Sequence, residues 1–141
     1  MHFIKIIIFS IALFLLIFAT TYLSMRIFAD QPSASCMECS YLKDTFFYST
    51  FSLLITATVL LAMSRAKINK TGFAVLISLI FIFIVLINNV VIFQDRVSSW
   101  SSYSTKDEVV ATILHSYPWM ITGSLIAFLI FYFAYKVEDR R

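Results

Sequence analysis

The sequence predicts an all-α integral membrane protein, a four-transmembrane-helix bundle with both termini on the cytoplasmic side. Three observations predict it. Of 141 residues, 60% are hydrophobic and only 13% are charged, which is more apolar surface than a soluble domain of this length can enclose. Four long stretches lack Asp, Glu, Lys and Arg, and each is about long enough to cross a hydrocarbon core of roughly 30 Å. Lys and Arg are scattered at the ends of those stretches instead of forming a basic patch with aromatic platforms. The net charge of +3 therefore belongs to membrane topology and excludes nucleic acid as a partner.

The first span covers about residues 4–28. Its uncharged heart, Ile6 to Met25, exceeds the about 7–15 apolar residues of a signal peptide, and only the weak Ile27-Phe28-Ala29-Asp30 follows it, so an uncleaved helix is expected. The second span covers about 45–64 and the third about 71–94. The fourth, about 109–136, carries Pro118-Trp119 near its start and Tyr132 and Tyr135 near its end, where amphipathic rings prefer the lipid–water boundary. With only two Gly and two Pro in the chain, the spans should be mostly unbroken, unlike the interrupted helices of many secondary transporters.

Connections follow from these spans: an outer loop over 29–44, an inner loop over 65–70 and a second outer loop over about 95–108. The inner loop is short, so the second and third helices must be antiparallel neighbours. Thr105-Lys-Asp-Glu108 has the form of a capping box and predicts a helix start near Lys106. Val109, Val110, Ile113, Leu114 and Tyr117 then recur on one helical face, and Pro118 should kink the helix or mark the junction of a surface helix with the fourth span.

Orientation follows from the basic residues beside the spans, which resist translocation. Lys5, Arg65, Lys67, Lys70, Lys136, Arg140 and Arg141 fall on one side, against Arg26, Lys43, Arg96 and Lys106 on the other. This places both termini inside, in the cytoplasmic (inner) membrane of a bacterium.

Cys36-Met-Glu-Cys39 is the whole cysteine content. Two thiols at this spacing can close a small disulfide and exchange it with a partner, and the predicted side is one where disulfides persist. Placed in the first outer loop, just before the second span, the pair resembles that of the quinone-linked thiol oxidases of the DsbB family. The resemblance covers the helix count and the position of Cys36 and Cys39. It implies a thiol–disulfide oxidoreductase with quinone as cofactor. That family carries a second cysteine pair in the second outer loop, absent from residues 95–108, and an arginine where Ser40-Tyr41-Leu42-Lys43 offers only Lys43. The other reading is a structural disulfide in a protein with no cofactor and no catalytic residue. Zinc is not expected, because one CxxC supplies two of four ligands and His2 and His115 are poorly placed to complete the set.

Asn88 and Asn89 lie near the outer end of the third span and read as interhelical adhesion. Gly123 and Ala127 form a small-xxx-small pair that lets a helix approach closely, either within the chain or from a second copy. Arg26, Asp44, Asp95, Arg96 and His115 form part of a charged outer rim that can serve in recognition or simply reach water. No ionisable residue sits at the centre of a span, which disfavours ion pumping. The expectation is a non-enzymatic interaction protein whose partners are the bilayer, another membrane or extracytoplasmic protein, or a second copy. An immunity or defence component, or a subunit of a larger membrane complex, fits this size. The architecture is similar to that of pore-forming colicin immunity proteins, with no shared motif.

Overall fold

A computed structural model describes residues 3–65, 68–100 and 102–134. Lys67, Tyr135, Lys136, Arg140 and Arg141, which enter the topology argument, lie outside the described residues, as does His2. The order is α1 (Phe3–Ser24), a 3-10 turn (Arg26–Phe28), α2 (Tyr41–Arg65), α3 (Lys70–Phe93) continued by a π turn (Gln94–Ser98), α4 (Thr105–Val109) continued by a π turn (Val110–Leu114), and α5 (Tyr117–Ala134). Among the described residues there is no strand. Four helices are long and apolar enough to cross a membrane: Ile4–Ser24, Tyr41–Met63, Lys70–Ser98 and Tyr117–Ala134.

The helices pack chiefly as α1 on α2 and α3 on α5. The α2–α3 hairpin implied by the short connection is present, but its contact is the lesser one. At the Lys70 end, the Asn69 side chain caps α3 by accepting from the Gly72 N–H at 2.7 Å, and Lys70 Nζ lies 4.4 Å from the centroid of the Tyr132 ring. This half of the bundle has an apolar core that includes Leu13, Ile17, Leu60, Phe73, Ile77, Phe81 and Phe131. Phe131 stands at the centre of an aromatic group, 4.9 Å from Phe9 and 5.8 Å from Phe73 between ring centroids.

Gly123 and Ala127 face inward, and Ala127 is fully buried. A Cβ added at Gly123 would stand 2.6 Å from Thr20 Oγ1 and 2.7 Å from Phe81 Cζ. The small-residue face of α5 is therefore filled by α1 and α3 of the same chain.

Several boundaries differ from those read in the sequence, each for a local reason. The fourth span does not run unbroken from 109, because Pro118 has no N–H to offer the preceding turn. The chain instead widens into the π turn, where His115 N–H donates to Val110 O at 3.0 Å. It then turns at His115–Ser116 and restarts as α5 with Pro118 in the first turn, where proline is tolerated. The capping box lies one residue earlier than expected: Ser104 is the N-cap and Asp107 its reciprocal partner. The segment expected as a loop over 29–44 ends at Ser40, whose Oγ accepts from Lys43 N–H at 3.4 Å, so Asp44 is in the first turn of α2. Residues 95–98 are likewise helical.

Candidate functional site: the disulfide end of the bundle

Most of the buried polar residues lie toward the end that carries the cysteines. Along α2, Thr45, Ser49, Ser52 and Thr56 are all buried, and their spacing places them on one helical face. Thr20, Thr21 and Ser24 of α1 and Asn88 and Asn89 of α3 are buried too. Asn88 Nδ2 donates to Ser52 Oγ at 3.3 Å and to Thr21 Oγ1 at 3.5 Å, joining three helices. Asn89 accepts from Ser24 Oγ at 2.8 Å and donates to Thr112 O at 3.4 Å. Amide bonds of this kind within a bilayer contribute about 0.6–2 kcal/mol each. The hydroxyl stripe of α2 is readable in the sequence as a spacing of four, three and four residues, yet Ser and Thr are so tolerated in apolar helices that the spacing alone does not mark a buried face.

Above this polar core sits Arg96, 2% exposed. Asn88, Ile92 and Arg96 lie four residues apart, so the π turn continues the inward face of α3 beyond its last α-helical turn. Arg96 Nη2 pairs with Asp44 Oδ2 at 2.6 Å and donates to Cys39 O at 3.3 Å. Nη1 donates to Ala29 O at 3.2 Å and also to Gln31 O. The guanidinium lies 5.3 Å from the centroid of the Tyr41 ring, whose hydroxyl donates to Tyr22 O at 2.8 Å. A planar fork with five N–H donors suits this convergence of carbonyls and one carboxylate, where the point charge of lysine would not.

The neighbouring Asp95 grips the same segment from the other side. Its Oδ2 accepts from Ser33 Oγ at 2.6 Å, its Oδ1 from Ser35 N–H at 2.8 Å, and its carbonyl from Ala34 N–H at 3.0 Å. Trp100 Nε1 donates to Pro32 O at 2.8 Å. Residues 29–40 are thus fastened along their length to residues 95–100. Cys36 and Cys39 are joined by a disulfide with a Cα–Cα distance of 5.2 Å, and the turn they close displays Met37, 72% exposed, and Glu38.

The five charged residues assigned to one rim therefore separate. Arg96 and Asp44 are buried and paired with each other, so neither forms an open recognition surface; Asp95 is half-buried and committed to the loop, while Arg26 and His115 are exposed. Local sequence does not pair Arg96 with Asp44 across 52 positions, and both lie in helical turns where the sequence predicts loops.

The Ser104–Asp107 cap gives α4 a pH dependence. Hydrogen bonds from the Ser104 backbone N–H and hydroxyl hold the Asp107 carboxyl below its ordinary range. A depressed carboxylate stabilises the cap fully above its unfolded pKa, and the effect is lost as pH falls through the folded value. Protection of the amides of residues 104–109, taken relative to their intrinsic exchange rates, should accordingly persist at pH 5 and fall only below the ordinary carboxylate range. Ser104→Ala, which loses the hydroxyl bond and keeps the backbone one, should move that loss of protection part of the way back up in pH.

Among the described residues no three His, Cys, Asp or Glu side chains converge as a metal-ligand set. Together, the fold and this end define a class: a small helical protein with four helices long and apolar enough to cross a membrane, whose two connecting segments at one end are locked together around a disulfide. Comparison with known protein families, curated proteins and solved structures finds no match.

Proposed function

We propose that this protein is a non-enzymatic membrane protein acting by protein–protein interaction in the bilayer, as an immunity or defence component or as a subunit of a larger membrane complex. In this reading it resides in the bacterial cytoplasmic membrane with both termini inside, and the disulfide end faces outward toward a membrane or extracytoplasmic partner. The observation that carries the reading is the locked pair of connecting segments, held by Arg96, Asp95 and Trp100 beneath the exposed Met37-Glu38 turn. A surface fixed before binding avoids much of the ordering cost of association, and an exposed methionine on such a surface is a contact that adapts to a partner.

The test is site-specific photo-crosslinking in native membranes, with the probe at Met37 or, as a control, at the exposed helix position Leu79. One adduct of defined mass from Met37 and none from Leu79 is the expected result. Identical patterns from the two positions, or no protein adduct from Met37, would sink the reading.

A thiol–disulfide oxidoreductase that uses Cys36 and Cys39 with quinone is the second reading, favoured by the placement of Cys39 directly before the Ser40 cap of α2. The redox state of the pair in membranes separates the two. An interaction protein should keep the disulfide fully oxidised, and neither Cys36→Ser nor Cys39→Ser should trap a mixed disulfide. A partly reduced pair that traps one partner or responds to quinone would replace the first reading with the second.

A further inference from the structure

An open groove of about 400 Å³ lies beside the disulfide end, between the exit of α1 and the α4 segment. Its volume falls in the range of roughly 300–1,000 Å³ typical of small-molecule sites. Its apolar lining is Ile27 and Phe28 from the exit of α1, Phe93 and Val97 from the end of α3 and its π turn, and Val110 and Ala111 after α4. Asp107 and His115 also line it, and Asp107 is the one lining residue with a carboxylate.

The surroundings set the depth of this groove in the bilayer. Trp100, Tyr117 and Trp119 are exposed near it in the chain, and such rings settle at the headgroup level. The α4 segment also exposes Val109, Ile113 and Leu114, as a helix does when it lies in the plane of the interface with its apolar side toward the acyl chains. With a bilayer around the four long helices, an apolar trough at this depth would open onto lipid, and the exposed Asp107 that lines it would stand near the headgroups.

We propose that the groove binds an aminophospholipid of the surrounding leaflet, with an acyl chain against Ile27, Phe28, Val97 and Val110 and the headgroup ammonium at the Asp107 carboxylate. Charge and hydrogen bonding to the Asp107 carboxylate together select this occupant. A phosphatidylethanolamine headgroup brings both a cation and N–H donors, phosphatidylcholine brings the cation with no N–H to give, and an anionic lipid without an amine brings neither.

The full chain reconstituted in phosphatidylcholine vesicles with a trace of diazirine-bearing phosphatidylethanolamine provides the test. Adducts should concentrate on the peptides that carry Ile27–Phe28 and Val97–Ala111, and unlabelled phosphatidylethanolamine should compete better than phosphatidylglycerol. Asp107→Asn, which keeps an acceptor for the Ser104 cap, should reduce the headgroup preference by about two- to fivefold, as befits an exposed ion pair. Ile27→Trp, which fills the trough and leaves the cap untouched, should remove the concentrated labelling. Labelling spread evenly around the bundle, indifference to the competing headgroup, or an adduct with a protein in place of lipid at these positions would each overturn the proposal. If either variant fails to fold, the headgroup competition on the unaltered chain decides by itself.

Discussion

Arg96→Met is expected to destabilise the protein by about 3–5 kcal/mol, because it leaves the buried Asp44 carboxylate without its partner. The loss reaches further than one ion pair. The same side chain holds Ala29, Gln31 and Cys39 through their carbonyls, so its removal should also release residues 29–40. Thermal unfolding in mild detergent reads the first effect, and limited proteolysis within 29–40 reads the second. A double variant, Arg96→Met with Asp44→Leu, should recover much of the thermal stability, since a buried pair replaced by apolar side chains of similar volume is often nearly neutral. The segment should stay cleavable even then, because methionine cannot donate to its carbonyls. A single variant as stable as the wild type would show that Arg96 does not clamp this end.

Gly123→Val is expected to cost about 1–3 kcal/mol by overpacking. Any Cβ at this position meets Thr20 Oγ1 and the Phe81 ring at distances that real Cβ atoms essentially never reach, and both neighbours belong to buried residues of other helices. Thr20 is short and branched, so it has little room to yield, and α5 must shift away from α1 and α3. Gly72 serves as the control: an added Cβ there meets chiefly the tip of the Asn69 cap, so Gly72→Ala should cost less. Phe81→Leu placed together with Gly123→Ala should restore part of the stability lost in Gly123→Ala alone. Detergent melts of the four variants beside the wild type test the whole set. If Gly123→Val melted with the wild type, close approach at Gly123 would not hold α5 in place.

These two sites differ in how legible they were. Gly123 and Ala127 announce a close helix approach by their spacing, which is local information, but the spacing does not say whose helix approaches. The Thr20 and Phe81 contacts are what assign it to the same chain. Arg96 was visible only as one of several charges beyond the third span. Its helical phase with Asn88 and Ile92 was present in the sequence, yet it gains meaning only if the helix continues past Phe93, and the π turn over Gln94–Ser98 that carries it onward leaves no plain mark in composition. The Ser and Thr stripe of α2 was hidden for the opposite reason, because hydroxyl residues suit a lipid-facing surface and a packed interface alike.

What the sequence by itself determined is the set of membrane-length helices, the lack of charge at their centres, and the cysteine spacing that lets Cys36 and Cys39 close a disulfide. Each depends on composition summed over one local stretch, because a backbone in an apolar solvent has to satisfy its hydrogen bonds within the segment. The tertiary structure alone decided that α1 pairs with α2 and α3 with α5, that Arg96 meets Asp44, and that Asp95 and Trp100 fasten the disulfide segment. Those choices rest on contacts between residues up to 68 positions apart. Side-chain shape and donor geometry select such partners only after the helices have been brought together.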